Sequence, residues 1–421
     1  MKTIRTIPKR GAAIALTAAF CLAGLLAACT PQAAEGLPAV TAGNAVTAGN
    51  AVTAGNAAQT APSVQAPQRE RMRLWPSDVE QTVIAALPAS ERTLAAGVTL
   101  TVSGDVTAPA YGSLQSVGVT KASVTEAEAL EILKKLQPGA DWTVEHPDEQ
   151  TRLRATCTVD GVAYSAGLVT TTGDRVSSFY YHAEPGRVIR EGYLMNDQEL
   201  MDEWGALCEM EIPVEKEAAL PQAAATLALL GVTDMRLQSA EKACEIEGDN
   251  IDSPLSRGWA FVYVPSLDGL PVYYRSGSTG FGDSVYPSVQ HAFITVYVTA
   301  EGVRAVAWGG VYRRTGAATA VAAVVPYETV LDAAIERLSL HYGAHGGERR
   351  LAIVGMQLAA GMIGSEQVPD NEAFDTPIDA GRLVPVWEVV CTVEEPAASY
   401  YDQTIVLPFC ALDGGAMLIQ E

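Results

Sequence analysis

The chain has 421 residues, 48% of them apolar, and a formal net charge of −21. That length and apolar share suffice for a sizeable core in two domains or one elongated array. A surface so acidic repels nucleic acid and anionic headgroups, which argues against both as partners.

Residues 1–28 begin with Lys2, Arg5, Lys9 and Arg10 and no acid, then run apolar from Gly11 to Ala28, broken only by Thr17 among polar residues. A basic head, a short apolar core and small residues before a cleavage point make a secretory signal. The run is close to the lower limit for spanning a bilayer, and no stop-transfer charges follow it. Leu26-Ala27-Ala28-Cys29 resembles the lipobox of bacterial lipoproteins. The resemblance implies that Cys29 is diacylated, becomes residue one, and holds the protein on the extracytoplasmic face of the cell membrane. Each acyl chain adds about 0.8 kcal/mol per buried methylene, so two chains anchor stably without a transmembrane helix. Losing the signal's four basic residues moves the net charge to −25.

Residues 29–72 read as the lipidated cysteine and a low-complexity linker, with Ala-Val-Thr-Ala-Gly-Asn repeated three times from Ala39 to Asn56. Such a tract has no apolar face to offset its ordering entropy, so it is expected to be a disordered tether with a span of about 35 Å. Beyond it stand Cys157, Cys208, Cys244, Cys391 and Cys410, with no metal-ligand spacing. Export permits a bridge, and Cys391 and Cys410 could lie on neighbouring strands. Buried free thiols are the expected state.

The expected fold class is α+β, in repeated helix-plus-antiparallel-sheet units at 73–195, 196–320 and 321–421. In the first unit a weak helix covers Ser77 to Ala86, and Ser123 opens a capping box with Glu126 ahead of Leu130 and Leu133. A strand at Trp142–Val144 precedes a hairpin of Leu153–Val159 with Val162–Thr170 across Asp160-Gly161, and Val176–Tyr181 adds another strand. The second unit has helices at Asp197–Cys208 and Leu220–Leu230 and a strand at Met235–Glu247. Trp259–Val264 then turns at Asp268-Gly269, and a hairpin joins Ala292–Val298 to Val303–Val311. Ala317–Val325 reads as a buried strand or the approach to a helix. The third unit has a helix at Pro326–Leu340 ending at Gly343, strands at Leu351–Leu358 and Leu383–Val393, and a hairpin of Thr404–Leu412 with Met417–Ile419.

Gly258-Trp259-Ala260-Phe261-Val262-Tyr263 followed by Asp268-Gly269-Leu270-Pro271-Val272 resembles a segment of uncharacterised lipoproteins from Gram-positive gut bacteria. The Val384-Pro385-Val386-Trp387-Glu388-Val389 strand is similar to YycI-type and PepSY-like extracytoplasmic domains. The resemblance implies a partner among sensor kinases or proteases and carries no catalytic residues. A lipid anchor in place of a transmembrane helix departs from the YycI type.

No stretch names a reaction, and no cofactor or metal is indicated. Ser239-Ala240-Glu241-Lys242 matches Ser-x-x-Lys, but its companion motifs are missing and it falls in a strand pattern. His341 and His345 have helical zinc spacing without the glutamate of a metalloprotease. Gly248–Ser253 lacks the ligand spacing of a calcium loop, and Gly277–Gly282 lacks the lysine of a phosphate loop. Glu199 and Glu203 sit on an expected helix surface. Trp259, Phe261 and Tyr263 share one strand face, with Tyr273, Tyr274, Tyr297 and Trp308 on neighbouring strands. Trp259, Phe261, Tyr263, Tyr273 and Trp308 are the candidate binding residues, either as core or as an open groove for a peptide or glycan. The function expected is a non-enzymatic binding or regulatory protein of the envelope, with an envelope protein as its partner. An envelope hydrolase and a solute-binding lipoprotein are the rivals.

Overall fold

The structure is a computed structural model that describes residues 80–148, 151–170, 177–185, 187–191, 211–247, 254–272, 285–287, 292–345, 347–368, 380–394 and 403–418. In chain order its elements are β1 (Gln81–Ala86), β2 (Ser90–Ala95), β3 (Val98–Pro109), β4 (Gln115–Lys121), α1 (Glu126–Leu136), β5 (Thr143–Glu145), β6 (Thr151–Val159), β7 (Val162–Thr170), β8 (Ser177–Ala183) and β9 (Arg187–Glu191). Then come α2 (Lys216–Leu230), β10 (Met235–Glu247), β11 (Ser256–Leu267), β12 (Leu270–Pro271), β13 (Tyr286–Pro287), β14 (Phe293–Thr299), β15 (Gly302–Gly309) and β16 (Tyr312–Ala320). The chain closes with α3 (Tyr327–His345), β17 (Arg349–Ile363), β18 (Ala380–Glu394), β19 (Gln403–Cys410) and β20 (Met417–Leu418).

The fold is β-rich, with 59% strand and 17% helix over the described residues, which corrects the expected α+β class of repeated units. Its strands join two large sheets that ignore the expected unit boundaries. An eight-stranded sheet runs β1-β3-β17-β18-β4-β16, with β2 also on β3 and β19 also on β18. It therefore mixes residues 81–121 with residues 349–410. A ten-stranded sheet runs β5-β6-β7-β8-β15-β14-β11-β10-β9, with β12 on the end of β11.

The first sheet hangs on two strands that change partners midway. One edge of β3 pairs with β2 as far as Val102 and with β1 from Asp105. Gly104 occupies the break at φ +108, where an added Cβ would stand 2.0 Å from Val354 O. One edge of β18 pairs with β4 from Ala380 to Leu383 and with β19 from Val386 to Val393. Pro385, which has no N–H to give a ladder, sits at that hand-over. α3 covers one face of this sheet, burying Val330, Ala334 and Leu338 among Leu100, Leu351, Ile353 and Val389.

The helix α1 starts two residues later than expected. Thr125, not Ser123, is the N-cap, accepting from Glu128 N while Glu128 Oε2 accepts from Thr125 N at 2.8 Å. The segment read as a helix at Ser77 to Ala86 is strand β1 where it is described. Ala317–Ala320 belongs to β16, whose residues from Arg313 onward are all exposed rather than buried. The expected helix at Asp197–Cys208 lies outside the described residues. α1 and α2 pack on one face of the ten-stranded sheet, where Ala129, Leu133, Ala219 and Ala223 meet Leu168, Phe179, Phe261 and Val296.

The two sheets are clasped by the β11–β12 hairpin. Leu267, Leu270 and Val272 leave the ten-stranded sheet and bury themselves in the core beneath α3. The tip is pinned by Gly112 N donating to Asp268 O at 2.8 Å, by Ser113 Oγ donating to Asp268 Oδ2 at 2.7 Å, and by Arg236 donating to Gly269 O. Arg314 of β16 reaches back to Asp234 Oδ2 at 2.9 Å and Ser266 O at 2.6 Å.

Candidate functional site

The predicted aromatic stripe does not form an open groove. Phe261 and Tyr263 are buried beneath α2 and its flanks, and Trp259 and Trp308 are half-buried against the same core. Trp259 donates its indole N–H to Val214 O at 2.9 Å, just ahead of α2. Tyr297 points to the opposite face of the sheet, and Tyr273 and Tyr274 lie outside the described residues. Burial lifts the Tyr263 phenol to about 12, so it stays neutral at ordinary pH. The physical reason is that a helix running above a period-two aromatic face supplies the apolar cover that the strand needs.

The remaining candidates also resolve structurally. Ser239–Lys242 lies within β10, and His341 sits in α3 edge-on to the Tyr342 ring at 4.7 Å. α3 continues past Gly343 to His345, against the expected stop. Cys29, the Gly248–Ser253 and Gly277–Gly282 loops, Glu199 and Glu203 lie outside the described residues. Among the described residues Cys157, Cys244, Cys391 and Cys410 are buried and form no disulfide. β18 and β19 are neighbours, as expected, but Cys391 is opposite Ile405 and Cys410 opposite Val386, so the two thiols are out of register. Burial pushes Cys391 to about 12 and Cys410 to about 11, which keeps both unreactive thiols.

The chemistry-bearing cluster that sequence reading missed lies on the face of the ten-stranded sheet opposite α1 and α2. Along one row the register sets His182 beside Ala305, Ala305 beside Tyr297, and Tyr297 beside Ala260. Along another, Ile189, Glu245 and Ser256 stand side by side. A bulge matches Tyr297 to Ala305 but Val298 to Val303, leaving Arg304 unmatched and turned onto the same face. Arg304 Nη2 donates to Glu245 Oε2 at 3.0 Å and to Glu184 Oε2, and Nη1 lies 3.5 Å from Glu301 Oε2. Ser256 Oγ donates to Glu245 Oε2 at 2.6 Å, and its oxygen is 3.1 Å from the Tyr297 hydroxyl. His182 Nε2 is 3.5 Å from Glu245 Oε1.

These contacts require a curled sheet. β8 and β10 are four strand spacings apart, which is about 19 Å on a flat lattice. No histidine and glutamate span that gap, yet they meet. The chain makes the same point: only residues 184–186 separate β8 from β9, a reach of about 14 Å, while five spacings separate the strands in the sheet order. The strands β8-β15-β14-β11-β10-β9 therefore wrap into a partial barrel whose interior holds Ala243, Ala260, Ala305, Tyr297, Ile189 and the ion network. Small alanines give the charged side chains their room.

Glu245 is fully buried and Arg304 nearly so. Burial alone would raise the Glu245 carboxyl. The His182 ring, the Ser256 hydroxyl and the Arg304 guanidinium outweigh it and hold the group below the usual carboxylate range. Glu184 adopts φ +54 directly before Pro185, a left-handed conformation that costs about 1–3 kcal/mol for a residue with a Cβ. Chemically the cluster is a clamp in which one guanidinium, Arg304, faces the carboxylates of Glu245, Glu184 and Glu301. Ser256 gives its proton to a carboxylate rather than to His182, so the nucleophile–base order of acyl transfer is not assembled.

Where the sheets meet, Val119, Met235, Pro265, Trp308, Tyr312 and Met362 line a cleft of about 40 Å³. That volume admits a water or two, far below what a metabolite occupies.

No protein-family model and no curated protein sequence matches the chain. Among solved structures it is similar to an uncharacterised protein from Eubacterium rectale ATCC 33656, at a TM-score of 0.45 and 12% sequence identity. The likeness covers 79% of this chain and 94% of that one.

Proposed function

We propose that this chain is a lipid-anchored extracytoplasmic binding or regulatory protein of the bacterial envelope, acting without catalysis on a protein partner. The observation that carries the reading is Leu26-Ala27-Ala28-Cys29 at the end of an apolar run with a basic head. The low-complexity tract after Cys29 serves as the tether. The acidic charge of −21 is a second support, since it makes a basic partner surface a better match than an anionic bilayer. By its resemblance to YycI-type and PepSY-like domains, the partner is a sensor or a secreted enzyme at the membrane.

Crosslinking in intact envelopes, followed by capture of the full-length protein, tests this reading. A defined envelope partner is expected with the wild type and is lost with Cys29→Ser, which leaves the membrane fraction while retaining its circular dichroism. Capture of no enriched partner by the wild type, with an unchanged signalling profile on deletion, would refute it.

A further inference from the structure

We propose that β1 is the seam of a symmetric dimer, in which the outer edge of Gln81–Ala86 pairs antiparallel with the same strand of a second copy. The inference is independent of the envelope partner proposed above. Among the described residues β1 has β3 as its single partner strand, so the other edge of its backbone lies outside the ladder. Val83 and Ile84 are 58% and 54% exposed on it, although both are large and apolar. The bulge between Val83 and Ala85 leaves Ile84 at the surface while Ala85 packs on the core beneath α3. Edge strands are ordinarily guarded by a charge or a proline. Among the described residues, the other strands of three or more residues with a single partner strand keep to that rule, with Glu91 in β2, Glu145 in β5, Arg190 in β9, Arg313 in β16 and Pro408 in β19. β1, which reads Gln-Thr-Val-Ile-Ala-Ala, has neither guard.

Charge selects the occupant of this edge. A basic partner, the kind an acidic surface attracts, finds no carboxylate within Gln81–Ala86 to pair with. Two copies of net charge −21 repel, so they meet where no charge is brought face to face. A two-fold axis normal to the sheet at Val83 sets Val83 against Val83, Thr82 against Ile84 and Gln81 against Ala85, all uncharged. Glu80, the adjoining charge, then falls opposite Ala86 of the second copy. The two Glu80 side chains are thus six residues apart along the seam, about 20 Å, which is more than two Debye lengths at physiological salt.

Cysteine crosslinking of the full chain in intact envelopes under a mild oxidant tests the seam. Val83→Cys should give at least about tenfold more disulfide-linked homodimer than Ala86→Cys, because self-paired residues have Cα atoms about 5 Å apart and the two copies of Ala86 stand about 20 Å apart. Sedimentation of the full chain in mild detergent should show a dimer whose share rises with added salt, since screening weakens the repulsion between acidic bodies. Val83→Lys should weaken that dimer at least about tenfold by setting like charges against each other, even though it makes each copy less acidic. Thr93→Lys on β2 should leave it unchanged. Equal homodimer from the two cysteine variants, a disulfide from Val83→Cys to a different protein, a full chain that sediments as a monomer, or a dimer indifferent to Val83→Lys overturns the proposal.

Discussion

Gly104 and Pro385 stand where the two long strands of the first sheet exchange one partner for another, and each does so by lacking something. Gly104 lacks the Cβ that would strike Val354 O, and Pro385 lacks the N–H that neither β4 nor β19 is placed to receive. Gly104→Ala should therefore destabilise the protein by at least about 2 kcal/mol in urea titration, from backbone strain and the collision together. Arg304 is the residue on which the interior of the second sheet depends. Arg304→Met leaves Glu245 buried without its counter-charge, a loss of about 3–5 kcal/mol near neutral pH by the same titration. The deficit should shrink as pH falls, because protonating Glu245 removes the orphaned charge. In the wild type the sign is opposite: Glu245, held below its usual range, contributes stability above pH 4.5 that is lost as pH drops through its folded value.

The β11–β12 hairpin is the element that makes two sheets one body. Its first half lies under α2 and its tip lies in the core beneath α3, so Leu270→Ala should cost about 2–5 kcal/mol by thermal melting, although Leu270 belongs to a strand of two residues. Elements with local signals were readable in the sequence. Asp160-Gly161 between alternating runs marked β6 and β7, and Val330, Ala334 and Leu338 marked α3. β1 and β16 were not, because exposed edge strands carry no alternation of apolar and polar residues; Val83 and Ile84 are both exposed in β1. The fold class was misread for a related reason. Pairings such as β3 with β17 join residues about 250 apart, and no local pattern announces them. The ion network was hidden likewise, since Glu245 and Arg304 stand singly in separate strands and Glu184 in the connection after β8. A charged residue inside an apolar strand was the one available sign, in Ala243-Cys244-Glu245-Ile246 and Val303-Arg304-Ala305-Val306.

At the scale of the whole molecule the hairpin tip of the ten-stranded sheet lies in the core of the other sheet and the two are tied by Arg236, Asp268 and Arg314, so unfolding should be a single transition in calorimetry. Two resolved transitions would mean that the hairpin clasp is weaker than its burial implies. In the proposed function it is the outer surface of this body that meets a partner. What brings that surface to a partner is the proposed anchor at Cys29. Mass spectrometry of the mature N-terminus, on protein taken from the native membrane, tests this most directly. The account predicts a first residue of Cys29 carrying a diacylglyceryl group, with residues 1–28 removed. An unmodified Cys29, or a mature chain that begins elsewhere, would contradict it.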